Sequence, residues 1–501
     1  MPDIKENCTK PAWFFVALIL AGLGLISACQ ADPPHCLPPE AELPELRKVS
    51  RRITTNPSVS PKQPQKLMIY FDGSGSMRGF VPKNQERQGY LYCEFVEMLA
   101  KNRYLADAQV QFKAFGSCLR EINVSRELYP MVGLVKNGRR HDWYRRREPE
   151  SDGNARLPFN AVSRLDLVLE EIKESPPEVL SVVVTDLFLS HETCVAEVIP
   201  TVDLVRSIMT GSENTPPKTI GIMGVVSRFE GRIDDLPGIP TFSLNSSLPF
   251  YILVIGENKA VVNLLSKLKE DGRFLLAEDF ETKIKTAVFL PNPISKTITM
   301  DDLKQKDCLT TVGATHTAEL VKCRERTHIL SEDQQFNLIP GQKGNQIEIK
   351  LGNEMLPDCI EVSHMRKTRE QWWRYHPELS GDCKEKWRYL GMAGDSFPIK
   401  SRLVRTAEGD WKVLLKGPGP KKQTTRKIFY GEITLGIQRL NARNSQWMRA
   451  WNQDLNLPID PGAEFQRTPH LGSLHRTMTT LMNHKLGNRN FALLGLAFGI
   501  E

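Results

Sequence analysis

The stretch that most constrains the fold is KLMIYFDGSGSMRG, residues 66–79. Residues 67–71 form an unbroken apolar and aromatic run, which is typical of a buried β-strand. The run stops at Asp72, and the alternating glycines and serines that follow are typical of a turn. The carboxylate of Asp72 and the hydroxyls of Ser74 and Ser76 stand at alternate positions, so a curled backbone can bring them together. Hard oxygen donors of this kind suit Mg²⁺, Mn²⁺ or Ca²⁺.

The triplet Asp72, Ser74 and Ser76 resembles the metal-ion-dependent adhesion site of von Willebrand factor type A domains, whose signature is Asp-x-Ser-x-Ser after the first strand. The alternative interpretation is an ordinary Gly/Ser turn without a bound ion. The resemblance implies that further ligands follow later in the chain.

Two later segments match the family's remaining ligand positions. Residues 179–185 form a second β-branched run that ends at Asp186, in keeping with the family's later strand and its Thr-Asp terminus. Ser163 opens the segment Ser-Arg-Leu-Asp-Leu-Val-Leu, where the family carries Thr-x-Leu-x-x-Ala-Leu. Serine departs from the family's threonine but keeps the hydroxyl, so the resemblance implies that Ser163 and Asp186 complete the site.

The resemblance implies a doubly wound α/β fold with a mostly parallel sheet over residues 66–290. Alternating strand and helix patterns agree with this expectation. Strands are predicted at 67–71, 108–115, 179–185, 219–226 and 250–256, and helices near 91–103, from 163, at 195–209 and at 260–269. Residues 229–248, which are rich in Gly, Pro, Asp and Ser, are predicted to form a long loop.

By the same resemblance, the cation is Mg²⁺, or Mn²⁺ or Ca²⁺, and a carboxylate from a protein partner completes its coordination. The alternative function is a metal-dependent envelope hydrolase that uses the ion to activate water. The chain contains no Gly-x-Ser-x-Gly, no His-Glu-x-x-His, no P-loop and no dinucleotide fingerprint. These absences favour a binding protein over an enzyme.

Residues 1–28 are predicted to be a targeting segment. Lys5 and Lys10 precede an apolar run at 13–26, which is shorter than the 18 or more residues expected of a spanning helix. The following Ile-Ser-Ala-Cys resembles a bacterial lipobox, which implies cleavage before Cys29 and acylation, including palmitate, at that residue. An uncleaved anchor or an ordinary secretory signal is the alternative. Gln30, where an aspartate would favour the inner membrane, implies an outer-membrane lipoprotein facing the periplasm.

Residues 29–65 contain eight prolines and are predicted to form an extended tether. In polyproline form such a segment reaches on the order of 100 Å. The whole chain of 501 residues is long enough for two or three domains, and its net charge of +7 is too mild to indicate a nucleic-acid partner. Residues 139–147 concentrate arginines around aromatics, and a solvated loop is favoured there over phosphate binding.

Residues 291–501 are predicted to form a smaller β-rich domain that ends in a helix. Residues 346–351 alternate strictly, and 402–406 with 411–416 flank a turn, which indicates a hairpin. Apolar residues between 471 and 482 recur at helical spacing. Trp372, Trp373 and Trp387 are predicted to be core residues.

Cysteine usage in an exported chain permits disulfides. Without Cys8 of the signal and Cys29, eight cysteines remain. Connectivity cannot be read from spacing, and the natural pairs are Cys308 with Cys323 and Cys359 with Cys383.

Overall fold

The structure is a computed structural model. It describes residues 33–41, 66–82, 88–101, 108–124, 131–132, 135–136, 139–140, 159–188, 200–233, 242–276, 279–294, 297–298, 309–312, 314–317, 319–321, 330, 334–338, 346–351, 356–392, 398–407, 409–417, 426–453, 467–484, 486 and 490–500. The predicted signal peptide, Cys29, residues 141–147, Cys308 and Cys323 lie outside these ranges.

The helices and strands are numbered in chain order. The helices are α1 (Leu91–Ala100), α2 (Leu165–Glu174), α3 (Thr201–Thr210), α4 (Asn258–Leu276), α5 (Phe280–Lys283), α6 (Trp447–Ala450) and α7 (Leu471–His484). The strands are β1 (Lys66–Asp72), β2 (Gln109–Phe115), β3 (Leu119–Glu121), β4 (Val135–Lys136), β5 (Arg139–Arg140), β6 (Val179–Thr185), β7 (Thr219–Ile233), β8 (Phe242–Gly256), β9 (Ile284–Phe289), β10 (Leu309–Val312), β11 (Ala314–His316), β12 (Gln335–Leu338), β13 (Gln346–Leu351), β14 (Ile360–Tyr375), β15 (Trp387–Gly391), β16 (Lys400–Arg405), β17 (Trp411–Lys416), β18 (Lys427–Ala442), β19 (Asn452–Gln453), β20 (Thr468–Pro469) and β21 (Asn490–Ile500).

A seven-stranded sheet in the order β3-β2-β1-β6-β8-β7-β9 contains the two strands predicted to carry the site. β1 pairs in parallel with β2 on one side and β6 on the other. All residues of β6, and all of β1 except Lys66, are buried, which explains why their sequences are continuous apolar runs rather than alternating ones. Both strands therefore lie inside the sheet, and their carboxyl ends meet at one edge.

The prediction of a doubly wound, mostly parallel sheet is wrong. Within the seven-stranded sheet, only the β1–β2 and β1–β6 pairs are parallel. The strands β3, β8, β7 and β9 all join this sheet antiparallel. Of the described residues, 45% lie in strands and 26% in helices, so the chain is mostly β with mixed sheets. An apolar run predicts a buried strand but does not reveal the direction in which the neighbouring strand runs. The expected parallel direction of the neighbouring strands was therefore wrong.

The prediction of a long loop over residues 229–248 is also wrong. β7 and β8 pair antiparallel along their full lengths, from Thr219 opposite Gly256 to Ile233 opposite Phe242. Between residues 242 and 247 the strand carries serine and asparagine, which resemble loop composition. The two strands satisfy each other's backbone groups, so tertiary pairing overrides the local composition.

Two further sheets contain most of the residues after 309 that the structure describes. A four-stranded antiparallel sheet has the order β10-β13-β17-β16, and the pairing of β16 with β17 confirms the predicted hairpin. A six-stranded sheet has the order β11-β12-β21-β18-β14-β15. Trp372, Trp373 and Trp387 are buried, as predicted. Helix α7 confirms the helical spacing, but the strand β21 follows it, so the final described element is not a helix.

Residues 33–41, in the middle of the predicted tether, pack against the six-stranded sheet. Leu37 and Ala41 are buried in a cluster with aromatic side chains of β14, β15 and β18. Trp373 Nε1 donates to Glu40 Oε2 at 3.2 Å, and Trp387 Nε1 donates to the carbonyl of Cys36 at 2.9 Å. This part of the proline-rich segment is held on the body rather than extended away from it.

The expected pair of Cys359 and Cys383 is wrong, because the two residues lie at opposite ends of the long strand β14. Cys359 directly precedes β14, and Cys383 follows its other end. A strand from Ile360 to Tyr375 separates them by on the order of 50 Å, far beyond the Cα separation that a disulfide allows.

Candidate metal site

The predicted carboxylates lie at the same edge of the seven-stranded sheet. Asp72 is the last residue of β1, and Asp186 directly follows β6. Because β1 and β6 are parallel neighbours, with Phe71 opposite Val184, the two chains leave the sheet side by side. Both aspartates are fully buried, which is costly for charged groups that lack compensation.

The turn after β1 needs glycine at position 73. Its N–H donates to the carbonyl of Phe115 at the end of β2, at 2.7 Å. A Cβ at this position would lie 2.5 Å from Cε1 of Phe159, so any larger residue would collide with that ring. Asn160 Nδ2 donates to the carbonyl of Gly73 at 2.5 Å. The chain then enters a 3₁₀ helix over Gly75–Phe80, which carries Ser76.

Asp72 is the centre of a hydrogen-bond network. Its Oδ1 accepts from the backbone N–H of Ser74 at 2.9 Å. Its Oδ2 accepts from Ser163 Oγ at 2.9 Å and from Thr185 Oγ1 at 2.7 Å. The structure thus places Ser163, the residue that departs from the family pattern, directly against the first aspartate.

The serines of the turn connect Asp72 to Asp186. Ser74 Oγ and Ser76 Oγ lie 3.1 Å apart, and the Ser76 hydroxyl lies close enough to the Asp186 carboxylate to favour its charged form. The backbone N–H of Phe188 donates to Asp186 Oδ1 at 3.1 Å. The structure therefore brings together all five residues singled out by the sequence: Asp72, Ser74, Ser76, Ser163 and Asp186.

One oxygen of this cluster is left without a partner. Asp186 Oδ2 is buried and has no hydrogen-bond partner among the described residues. Buried carboxylate oxygens are normally satisfied, so an orphaned one indicates that a proton or a cation belongs there. Burial, and then the charge of Asp72, raise the pKa of Asp186 to about 7. Burial also raises the pKa of Asp72, against the hydrogen bonds from Thr185, Ser74 and Ser163.

The donor set fits a hard divalent cation. All five predicted residues offer oxygen, and two of them are carboxylates whose mutual repulsion a cation would relieve. Within the described part of the chain, no group of three or more His, Cys, Asp and Glu side chains could hold a metal. A site built from two aspartates and three serines falls outside that pattern and suits Mg²⁺, Mn²⁺ or Ca²⁺ better than zinc.

Sequence reasoning missed two residues that support the site. Thr185 was read as a strand terminus, but its hydroxyl holds Asp72 and also accepts the N–H of Leu187 at 3.1 Å. Its position directly before Asp186 at the end of a buried strand was the available signal. Asn160 grips the turn at Gly73, and no motif pointed to it. Leu187 has φ of 57°, a left-handed conformation that is costly for leucine and is typical of constrained sites.

The cluster is reached from the side of the turn. Gly75 is exposed and Ser76 is partly exposed, whereas the two aspartates and Ser163 are buried. Ser76 is therefore the most exposed of the five residues of the cluster.

In the part of the chain that the structure describes, no helix is both long enough and apolar enough to cross a bilayer. Comparisons of this chain with protein families, with curated proteins and with solved structures find no match. The metal-site interpretation therefore rests on the side chains themselves.

Proposed function

We propose that this chain is a lipid-anchored protein of the bacterial cell envelope that binds a protein partner through a divalent cation. Asp72, Ser74, Ser76, Ser163 and Asp186 would hold the cation. The observation that carries the proposal is the buried, unpartnered Oδ2 of Asp186 beside a second buried carboxylate. The proposal does not depend on the parallel fold that the sequence suggested.

Each part of the cluster has a role in this function. The aspartates supply the charge that attracts the cation, and the serine hydroxyls supply neutral oxygens. Thr185 and Asn160 keep Asp72 and the turn in position. A bound Mg²⁺ supplies a coordination position that a partner's carboxylate can complete. The partial exposure of Ser76 gives that carboxylate its route of approach.

A thermal melt of the purified protein tests cation binding. Adding Mg²⁺ or Mn²⁺ after chelation should raise the melting temperature, because a ligand at a hundredfold excess over its Kd stabilises the fold by about 2.7 kcal/mol. Asp72→Asn should abolish the shift. Ser163→Ala should weaken it less, since water can replace one neutral ligand. Ser181→Ala, in the strand β6 that precedes Asp186 but outside the cluster, is the matched control and should keep the full shift.

A pull-down from envelope extract tests the partner. Capture by the wild-type chain in Mg²⁺ should be lost with chelator and with Asp186→Ala. If the cation does not shift the melting temperature of the wild-type protein, residues 72–76 are only a structural turn and the proposal is overturned. Metal-dependent turnover of peptidoglycan, phosphoester or peptide substrates that disappears in Asp186→Ala would establish the hydrolase instead.

A further inference from the structure

The N-terminal segment of residues 33–41 is attached at one specific place on the body. Its apolar side chains pack with Trp373, Tyr375 and Trp387 at the end of β14 and the start of β15. The loop between these strands, residues 376–386, contains Cys383. The segment and this loop are far apart in the sequence but adjacent in the structure.

Backbone contacts fix the segment beside Cys383. The N–H of His35 donates to Cys383 Sγ at 3.0 Å. One residue later, the carbonyl of Cys36 accepts from Trp387 Nε1 at 2.9 Å. These two contacts flank the Cys36 side chain and hold it against the loop.

The Cys36 and Cys383 side chains lie close together and pack against the same apolar cluster. Both are free and half-buried. Burial, and then the neighbouring Cys383 thiol, raise the pKa of the Cys36 thiol. None of the other three described cysteines competes for this position. Cys359 lies at the opposite end of β14, Cys93 is fully buried in the other core cluster, and Cys118 lies between β2 and β3 of the seven-stranded sheet.

We propose that Cys36 and Cys383 form a disulfide that fastens residues 33–41 to the loop between β14 and β15. One thiolate attacks an oxidant's disulfide and displaces one thiolate of the oxidant. The second cysteine then attacks the resulting mixed disulfide and displaces the other. The two cysteines lose two electrons and two protons, and the oxidant is reduced to two thiols. The oxidant class is a thiol oxidoreductase that carries an active-site disulfide.

In the cell this step rests on the proposed export, because an oxidising compartment is needed to form and keep the bond. The disulfide would shorten the distance between the lipid anchor and the folded body. Cys36 lies seven positions after Cys29, so a chain fastened at Cys36 reaches only about 25 Å from the acylated residue. The six-stranded sheet would then sit close to the membrane, in place of a body held on a long tether.

The test uses the Cys29→Ser full-length chain, which removes the lipid and the nearest competing thiol. The protein is purified reduced, incubated natively with oxidised glutathione, then unfolded in excess alkylating agent and digested with trypsin. Residues 375–384 form a tryptic peptide with Cys383 as its single cysteine. Mass spectrometry should find this peptide joined to the one that contains Cys36, and reduction should separate them.

Two variants make the result specific. Cys383→Ser should lose the joined peptide and leave Cys36 alkylated or glutathionylated, whereas Cys118→Ser, at an exposed position on the seven-stranded sheet, should keep it. The joined peptide is detected in the Cys29→Ser chain itself, so this result does not depend on whether the two further variants fold. Separate alkylation of both cysteines after oxidation, or a joined peptide with another cysteine, overturns the proposal. If the disulfide forms in the purified protein but the wild-type protein does not fractionate with membranes in cells, the lipid anchor is refuted and the disulfide proposal stands.

Discussion

Thr185 Oγ1 donates a hydrogen bond of 2.7 Å to Asp72 Oδ2, across the boundary between two parallel strands. The same oxygen accepts the N–H of Leu187, whose left-handed backbone carries the chain away after Asp186. One hydroxyl therefore holds the first aspartate and shapes the turn that carries the second. The geometry of the candidate site depends on this contact although Thr185 is not among its five proposed ligands.

Thr185→Val should destabilise the protein by about 1–3 kcal/mol, because it leaves a buried carboxylate oxygen and a backbone N–H short of partners. Urea unfolding measures the change. Thr185→Ser keeps the hydroxyl and should stay close to wild type. A loss of stability in Thr185→Ser together with none in Thr185→Val would mean that the methyl packing, rather than the hydrogen bonds, matters at this position.

Wild-type protein expressed in a bacterium should fractionate with membranes and incorporate labelled palmitate. Cys29→Ser should lose the label, because the acylated thiol is absent. Cys36→Ser, seven residues later, is the control and should keep it. If the two variants and the wild type behave alike, the lipobox interpretation is incorrect.

His475 should make stability fall in mild acid. Its Nδ1 accepts from Arg449 Nε at 3.3 Å, and its Nε2 lies 3.0 Å from Ser445 Oγ, so the ring is held neutral. Burial, and then the charge of Arg449, lower its pKa to about 4. The unfolded ring takes up a proton below about pH 6.5, but the folded ring does so only near pH 4.

The free energy of unfolding should therefore decrease as pH drops from about 6.5 to about 4, by on the order of 3 kcal/mol, and level off below. Urea titrations at several pH values measure this slope. His475→Gln should remove it. His364→Gln, at an exposed position of β14, should retain it. A slope that is unchanged in His475→Gln would assign the acid sensitivity to other groups.

Glu370 should be a major stabilising residue of the C-terminal sheets. Its buried carboxylate accepts from Trp372 Nε1 at 2.9 Å and from Ser401 Oγ at 2.7 Å, and it pairs with Lys367. Since Ser401 belongs to β16, the group joins the six-stranded and four-stranded sheets. Glu370→Ala should cost about 3 kcal/mol, because the remaining donors lose their buried acceptor.

Chemical denaturation of Glu370→Ala and Glu370→Gln measures this contribution. The glutamine keeps an oxygen acceptor and should cost less than alanine. Glu378→Ala removes an exposed partner of His376 and should leave the stability almost unchanged, because solvent screens such a pair. Similar losses of unfolding free energy in Glu370→Ala and Glu378→Ala would show that burial does not determine how much these ion pairs stabilise the protein.

Sequence reasoning located β1, β6 and the β16–β17 hairpin because their signals are local: a continuous apolar run, or a turn between two strands. It also located the five side chains of the candidate site. It failed on sheet direction, because apolar strands read alike in parallel and antiparallel sheets. It missed Thr185 because that contact exists only once β1 and β6 lie side by side.

The docking of residues 33–41 could not be predicted for a similar reason. Prolines there indicate an extended chain, but the segment bends at residues 35–36 and turns at 39–40, where the N–H of Ala41 donates to the carbonyl of Pro38 at 3.1 Å. Trp373 and Trp387 provide the surface that covers Leu37 and Ala41. Those tryptophans lie more than three hundred residues later in the chain. The composition of residues 33–41 predicts only their local conformation. Their packing depends on tryptophans that are distant in the sequence.

The position of β21 sets the order in which the protein can fold. This strand comes last among the described elements, yet it lies inside the six-stranded sheet, parallel to β12 and antiparallel to β18. Neither neighbour can complete its pairing until residues 490–500 have been synthesised, and pairings of such long sequence separation form slowly. A nascent chain therefore keeps this sheet open until residues 490–500 have left the ribosome, long after β12, β14 and β18 have been made.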